Sequence, residues 1–193
     1  RTGEWFAVNH WNVVPDIITM AKGLTSGYAP LGAVAMKSEI AAYFNEKAFV
    51  GGMTYNGHPI CLAAAIANIE VIKSDNLIRR AAETGQVLHR MLVGLQEHHP
   101  SVGDVRSIGL FGVIELVRNR ITREPMAPYN GTSPEMDALK RFILDQGIFL
   151  YIHWHTILII PPLIISPEQL IEGFNVLERA LEITDAAVRE FPA

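Results

Sequence analysis

The chain has 193 residues, which suits one large domain or two small ones. Its 49% hydrophobic and 19% charged residues favour a globular fold with a core and exclude a disordered chain. The net charge of −4 gives no indication of a nucleic-acid or membrane partner, and the longest apolar run, residues 157–165, is interrupted by two prolines and is too short to cross a bilayer.

The chain contains a single cysteine and begins without methionine. Because Cys61 is alone, no internal disulfide can form, and a reducing, cytoplasmic setting is the simplest expectation. Arg1 stands first, and no cap or turn pattern marks a natural start there. We therefore expect an N-terminal portion of the protein to be missing from this sequence.

The first part of the chain predicts two strands and two helices. Apolar runs predict short buried strands, Ser38 is a candidate cap for a short helix, and Pro59 is placed to begin an Ala-rich helix. Glycine-rich loops lie at residues 24–32 and 49–58. In chain order, the four predicted elements cover residues 16–21, 32–36, 38–44 and 59–72.

The second part begins with a long amphipathic helix, capped by Asp75 or Asn76 and ending near His98. Its apolar face is predicted to contain residues at helical spacing, namely Leu77, Ala81, Leu88, Leu92 and Leu95. A strand region follows over residues 105–117 and is expected to break at Gly109 and Gly112.

Two more helices with clear end signals are predicted near the end of the chain. Ser133 opens the first helix, which Gly147 stops, and a capping-box pattern at Ser166 opens the second, which is predicted to run to about Glu190. Between them, residues 148–153 and 156–160 predict two strands joined by a short turn. The fold class is therefore α/β: residues 1–75 would be the end of one α/β domain, and residues 76–193 a smaller α/β domain.

Lys22 is the residue most suited to covalent chemistry. It directly follows an apolar strand and precedes Gly23, so a rigid element would place its amine and partly desolvate it. Desolvation disfavours the ammonium form, and only the free amine attacks a carbonyl. From position alone, however, the interpretation of Lys22 as a surface lysine at a strand end is the favoured one.

Four segments, in order along nearly the whole chain, settle this choice. They are residues 1–7 (RTGEWFA), 15–34 (PDIITMAKGL to GYAPLGAV), 54–59 (TYNGHP) and 161–165 (PPLII). Together they resemble class-III pyridoxal-phosphate aminotransferases. The resemblance implies that residues 1–75 end the large cofactor-binding domain and residues 76–193 form the small C-terminal domain.

The resemblance also implies roles for individual residues. Lys22 matches the lysine that binds pyridoxal 5'-phosphate covalently and later moves the substrate proton. Thr54 matches a threonine that donates a hydrogen bond to the cofactor phosphate, typically in the partner subunit, so a homodimer is expected. Without the family, Thr54 could equally be an N-terminal capping hydroxyl. His58 matches a structural position, and Arg106 matches an arginine used for packing and ion pairing.

Residues 149–156 depart from the common pattern because they lack the arginine that grips a substrate carboxylate in many members. This stretch resembles the taurine–pyruvate branch, whose enzymes pass an amino group from an ω-amino acid, amino sulfonate or amine to pyruvate, a 2-oxo acid acceptor. Trp154 and His155 are candidate substrate-side residues, although simple packing is the alternative. The alternate spacing of His153 and His155 also suggests a metal pair on one strand face, but no third ligand is evident.

Several parts of the family's cofactor site would lie upstream of Arg1, including the aspartate at the pyridine nitrogen and the main phosphate loop. The isolated chain is therefore not expected to transaminate. Competing hypotheses are a catalytically silent dimerisation module and a pyridoxal-phosphate enzyme of other chemistry, such as an aminomutase or decarboxylase. Cys61 as a nucleophile is a weaker hypothesis than Cys61 as a small packing residue.

Overall fold

The computed structural model describes residues 1–189, and the chain divides into two compact units. One comprises Phe6–Leu77 and is called the N-terminal unit; the other comprises Arg1–Trp5 with the chain from Ile78 onward and is called the C-terminal unit. The assignment of residues 1–75 and 76–193 to a large cofactor domain and a small domain stays a prediction.

The N-terminal unit contains a two-stranded antiparallel sheet. Strands β1 (Ile17–Met20) and β2 (Ala33–Met36) pair along their whole length. Both strands were predicted to be buried, and this was wrong, because neither contains a buried residue. An apolar run is typical of a strand that is covered on both faces, whereas these two strands pair only with each other within the described part of the chain.

The short helix α1 (Ser38–Ala42) follows the sheet. Ser38 was predicted to cap it, but Lys37 occupies the N-cap position and no side chain provides a capping hydrogen bond. Ser38 is instead the first helical residue, where its hydroxyl cannot play the cap role.

Helix α2 (Pro59–Ser74) begins at the predicted proline, whose missing N–H has no partner to lose at this position. Its apolar residues lie on every side, yet only Ala65 is buried. Ile60 and Ile66 are 71% and 59% exposed. A helix that is apolar on all sides is normally enclosed on all sides, so α2 has the composition of a helix that further protein covers.

The C-terminal unit is built on an antiparallel sheet whose strands in chain order are β3 (Val102–Ile108), β4 (Phe111–Asn119), β5 (Glu124–Pro125), β6 (Tyr151–His153) and β7 (Thr156–Ile159). The strand order across the sheet is β3-β4-β7-β6, and the short β5 pairs with the last residues of β4. The predicted break at Gly109 is confirmed, because this glycine lies between β3 and β4 with a φ of 54°.

Gly112 was predicted to break the strand as well, and this was wrong. It lies within β4, opposite Ser107 of β3 and Ile159 of β7. A Cβ added there would lie 2.9 Å from Cδ1 of Leu92 and 3.4 Å from Cδ2 of Leu88. The glycine therefore makes room for a packed helix and does not interrupt the sheet.

Three helices complete the core of the C-terminal unit: α3 (Leu77–His98), α4 (Pro134–Asp145) and α5 (Pro167–Asp185). All the residues predicted for the apolar face of α3 are buried, so that prediction is confirmed. One apolar cluster joins the helices to the sheet. Among residues 1–189, no helix has both the length and the apolar character that crossing a bilayer requires.

Side-chain caps fix the starts of α4 and α5. The Ser133 hydroxyl accepts a hydrogen bond from the Met136 N–H, and Ser166 and Gln169 form the predicted reciprocal capping box. Gly147 follows α4 with a φ of 80°, as expected for a helix stop. Helix α5 ends at Asp185, before the predicted end near Glu190, which lies outside the described residues.

A half-buried ion pair links α4 to β4 and predicts acid sensitivity. The Arg118 guanidinium donates to both carboxylate oxygens of Glu135 at 3.2 and 2.7 Å, which lowers the pKa of Glu135 to about 2. Because the folded pKa lies below the ordinary value of 4.5, this stabilisation is present above pH 4.5 and is lost as the pH falls towards 2.

We expect Glu135→Gln to lower the free energy of unfolding of the chain at pH 7 by about 1 kcal/mol, a modest value because the pair is partly exposed to solvent. The difference from the wild type should shrink as the pH falls below 4.5 and should vanish only below about pH 2, where Glu135 is protonated in the folded chain as well. Urea unfolding followed by circular dichroism measures both values. Glu172→Gln, on α5, is the matched control, because Glu172 is exposed and makes no hydrogen bond or ion pair within residues 1–189. Equal losses in the two variants would contradict the prediction.

Candidate active site

Lys22 lies on a strained turn just after β1. It begins a short 3-10 helix, Lys22–Leu24, and its φ of 44° places it in the left-handed region. For a residue with a side chain this conformation costs about 1 kcal/mol or more, and such strain persists only where surrounding contacts hold it. Strained residues of this kind are concentrated at functional sites.

The Lys22 side chain is exposed, and its amine makes no hydrogen bond or ion pair within residues 1–189. The sequence predicted a partly desolvated amine, and the described residues do not provide that desolvation. The amine is nevertheless free of a competing carboxylate. Lys37, in contrast, forms an ion pair with Asp16 at 2.6 Å.

Asn68 holds the turn that carries Lys22. From α2, its side-chain amide donates to the backbone carbonyl oxygens of Gly23 at 2.8 Å and Leu24 at 3.0 Å. Thr25, which is buried, donates from its hydroxyl to the carbonyl oxygen of Ala29 at 2.6 Å. Sequence reasoning missed Asn68 and Thr25; the only signal for Asn68 was a poor helix former inside an Ala-rich helix.

Thr54 lies in the irregular loop before α2. Two overlapping turns bend the backbone here, the first of which contains Thr54: the Asn56 N–H donates to the Met53 carbonyl at 3.0 Å and the His58 N–H donates to the Tyr55 carbonyl at 3.3 Å. Its side chain is exposed and its hydroxyl has no partner among the described residues. Because His58 is the N-cap of α2, Thr54 does not cap that helix. The capping alternative is therefore excluded.

His58 and Cys61 lie at the start of α2. Nδ1 of His58 is enclosed and has no hydrogen-bond partner within residues 1–189, and the His58 ring lies 5.9 Å from that of Tyr55. Cys61 is a half-buried free thiol in the first turn. The structure places no base beside this thiol among the described hydrogen bonds, so it gives no support to Cys61 as a nucleophile.

Trp154 and His155 form the two-residue turn between β6 and β7 in the C-terminal unit, as predicted. Trp154 has a φ of 56° and is half-buried; its indole stacks on the His153 ring at 4.0 Å and packs against the Tyr129 ring at 4.3 Å. Nδ1 of His155 is enclosed without a hydrogen-bond partner in the described part of the chain. Both a strained aromatic residue and an unsatisfied buried nitrogen need an explanation beyond ordinary packing.

The prediction that His153 and His155 share one strand face was wrong. His153 ends β6, whereas His155 belongs to the turn, so the alternation of a strand does not apply to the pair. Within residues 1–189, no three His, Cys, Asp or Glu side chains form a cluster that would hold a metal ion. Arg106 pairs with Asp104 at 2.7 Å and with Glu115, which confirms its predicted ion-pairing role.

The predicted site residues fall in two places. Lys22 and Thr54 belong to the N-terminal unit, and Trp154 and His155 belong to the C-terminal unit. Within residues 1–189, the first pair offers an amine and a hydroxyl without hydrogen-bond partners, which are the groups that a cofactor with a carbonyl and a phosphate requires.

A family model described as aminotransferase class-III matches residues 1–181. The chain belongs to the class-III aminotransferase family. The predicted family, the α/β fold class and the cofactor, pyridoxal 5'-phosphate, are thereby confirmed.

Individual relatives of this aminotransferase chain agree with the family match. It is 37% identical over 191 residues to the putrescine–pyruvate aminotransferase of Pseudomonas aeruginosa, covering 97% of this chain and 41% of the relative. It is 43% identical over 138 residues to the taurine–pyruvate aminotransferase of Bilophila wadsworthia, covering 66% and 29% of the two chains. The chain therefore spans less than half the length of the curated relatives that it matches.

A solved structure gives the same result for the fold. The taurine:2-oxoglutarate aminotransferase from Bifidobacterium kashiwanohense, solved in complex with pyridoxal phosphate and glutamate, matches with a TM-score of 0.90 and 36% identity. The match covers 96% of this aminotransferase chain and 42% of the solved chain.

Proposed function

We propose that this chain forms the lysine-bearing part of an aminotransferase that moves an amino group from an amine, ω-amino acid or amino sulfonate to pyruvate. The observation that carries the proposal is Lys22, whose amine has no partner among the described residues and which lies on a strained turn that Asn68 holds from α2. Such a turn fixes the start of the side chain and leaves its end free to react, as a lysine with a covalent and a proton-transfer role requires.

The residues of this chain would divide the work. Lys22 would hold the cofactor through its ε-amine and, once the amino donor has replaced it, would move the proton from the substrate carbon to the cofactor. Thr54 would donate a hydrogen bond from its hydroxyl to the phosphate of the cofactor that is bound in the partner subunit of a homodimer. When bound, pyridoxal phosphate supplies the electron sink that stabilises the carbanion at the substrate carbon.

The β6–β7 hairpin supports the choice of amino donor. Residues 148–160 contain no arginine or lysine, so the hairpin offers no guanidinium for bidentate binding of a substrate carboxylate. This favours donors whose reacting carbon carries no carboxylate, and Trp154 and His155 are proposed to contact the rest of the donor. Two curated relatives are named as a putrescine–pyruvate and a taurine–pyruvate aminotransferase, and these names support donors of the same kind.

A cytoplasmic setting is also proposed, because Cys61 is the single cysteine of the sequence.

The isolated chain is proposed to be inactive. The exposure of Lys22 and of the apolar helix α2 supports inactivity, because an active site must exclude water and α2 has the composition of an enclosed helix. The same exposed helix is what favours the alternative of a silent interaction module. Cofactor bound covalently to Lys22 would support the aminotransferase and contradict the silent interaction module.

The test is a panel of donors and acceptors on a complete class-III aminotransferase that carries these 193 residues, here called the complete enzyme. We expect turnover of putrescine, taurine or 4-aminobutyrate with pyruvate at least about tenfold faster than with 2-oxoglutarate, a difference of about 1.4 kcal/mol in transition-state stabilisation. The 193-residue chain alone is the control and should show no turnover. A complete enzyme that retains its cofactor and transaminates none of these donors would contradict the proposal and favour an aminomutase or decarboxylase.

A further inference from the structure

Four ring side chains form a continuous strip on the surface of the C-terminal unit. Tyr151 and His153 of β6 lie 5.8 Å apart, His153 stacks on Trp154 at 4.0 Å with an interplanar angle of 25°, and Trp154 packs against Tyr129 at 4.3 Å. This set, Tyr151, His153, Trp154 and Tyr129, is called the aromatic strip. Tyr129 is 80% exposed and Tyr151 is 54% exposed, so both ends of the strip are open to solvent.

The backbone at Trp154 does not favour a tryptophan. A left-handed residue in a two-residue hairpin turn is normally glycine, asparagine or aspartate, because a bulky side chain raises the energy of that conformation. Trp154 holds it with a φ of 56°. Two ring contacts to the indole, from His153 and Tyr129, are interactions that offset this strain.

Tyr129 reaches the indole from a loop that is fixed at its base. The residues before it, Met126 and Ala127, are buried in the core, and Ser133 after it caps α4. Between them, the Gly131 N–H bonds to the Pro128 carbonyl at 3.1 Å and closes a tight turn. An exposed tyrosine on such a rigid turn loses little further freedom when its ring contacts a neighbour.

The lack of lysine, arginine and carboxylate side chains on the hairpin itself restricts what the aromatic strip can bind. Residues 148–160 contain no lysine, arginine, aspartate or glutamate. Ring faces carry partial negative charge and attract ammonium groups, with Trp and Tyr among the stronger partners. An anionic tail would therefore find no cation on the hairpin and would meet the unfavourable faces of the rings.

We infer that the aromatic strip selects the tail of the amino donor, and that Tyr129 is the positioning residue that holds Trp154 for this purpose. Donors with a second ammonium group, such as diamines, would be preferred to amino sulfonates with an anionic tail. The inference rests on the proposed function, because that proposal places Trp154 beside the donor. It adds the donor class and a residue, Tyr129, that the sequence did not single out.

The first arm of the test measures the position of the indole by fluorescence. In the 193-residue chain with Trp5→Phe and Trp11→Phe, Trp154 is the only one of the three tryptophans that remains. Tyr129→Ala should increase acrylamide quenching of Trp154, and Tyr129→Phe, which keeps the ring, should not. Ile121→Ala is the control, because it removes a side chain that is 86% exposed and lies in no ring contact. Equal quenching in Tyr129→Ala and the control would overturn the positioning role.

The second arm measures donor selection in the complete enzyme as the ratio of kcat/KM for putrescine to that for taurine. The wild type should favour putrescine, and Tyr129→Ala should lower the ratio about two- to fivefold, the size expected for an exposed cation–π contact. Tyr129→Phe and Ile121→Ala should leave it unchanged. A wild type that favours taurine, or an equal ratio in Tyr129→Ala and the control, would overturn the inference while transamination itself stands. Absence of turnover with putrescine, taurine and 4-aminobutyrate alike would instead contradict the proposed function, and the fluorescence arm would still decide whether Tyr129 holds Trp154.

Discussion

Replacing Lys22 with alanine is expected to abolish transamination by the complete enzyme, with a loss in kcat of about 10³-fold or more. The amine of Lys22 would both bind the cofactor covalently and move the substrate proton, and alanine removes both roles at once. Borohydride reduction followed by peptide mass spectrometry measures the covalent link directly. The wild type should contain the reduced cofactor on the peptide with Lys22, and the variant should contain none.

Three further variants separate the roles of charge, position and phosphate binding. Lys22→Arg keeps a positive charge but should be as inactive as alanine, because a guanidinium stays protonated and cannot attack a carbonyl. Lys37→Ala, which removes a lysine already paired with Asp16, should keep full covalent labelling. Thr54→Ala should keep the covalent link while releasing the cofactor more readily on dialysis, and Thr54→Ser should resemble the wild type. Labelling at another lysine in the wild-type enzyme would refute the assignment of Lys22.

The identity of the site residue was accessible from the sequence, but its geometry was not. The apolar run before Lys22 and the glycine after it located the end of a strand, because these are local patterns. A left-handed φ at Lys22 leaves no mark in hydrophobic periodicity. The contact that holds the turn comes from Asn68, 45 residues beyond Gly23, and only the tertiary fold brings these two residues together.

Exposure was the other quantity that the sequence could not supply. The residues of β1, β2 and α2 have the composition of enclosed elements, yet most of their side chains are exposed in this chain. Composition reports the environment for which a segment is suited, whereas burial depends on which other segments are present. This explains why the helix positions were predicted well and the desolvation of Lys22 was not.

Caps and helical stripes were predicted because their chemistry is local. Ser166 and Gln169 satisfy each other's backbone N–H groups within four residues, and the face of α3 follows a fixed spacing. Glycines were harder, because the same residue type serves as a turn at Gly109 and as space for Leu92 at Gly112. Only the neighbours in three dimensions distinguish the two uses.

The two glycines within α3 give the sharpest test of this distinction. A Cβ added at Gly85 would lie 2.5 Å from the Cα of Gly109, and the space beside Gly109 is itself filled by the backbone of Thr2. Three backbone segments therefore meet at Gly85, and the Leu110 N–H bonds to the Arg1 carbonyl at 2.9 Å beside them. Backbone atoms that are packed and hydrogen-bonded cannot move aside as the end of a flexible side chain can.

We expect Gly85→Ala to lower the free energy of unfolding of the chain by about 2 kcal/mol, because an overpacking cost of up to about 3 kcal/mol outweighs a gain of about 1 kcal/mol in helix propensity. Gly94→Ala, in the same helix, should raise it by about 1 kcal/mol or slightly less, since nothing lies within 4 Å of the added Cβ and only the propensity changes. Urea unfolding followed by circular dichroism gives both values under the same conditions. The changes in unfolding free energy of the two variants are expected to have opposite signs because the backbones approach closely at Gly85. Changes in the same direction would mean that α3 and the Gly109 turn are not packed as the structure shows.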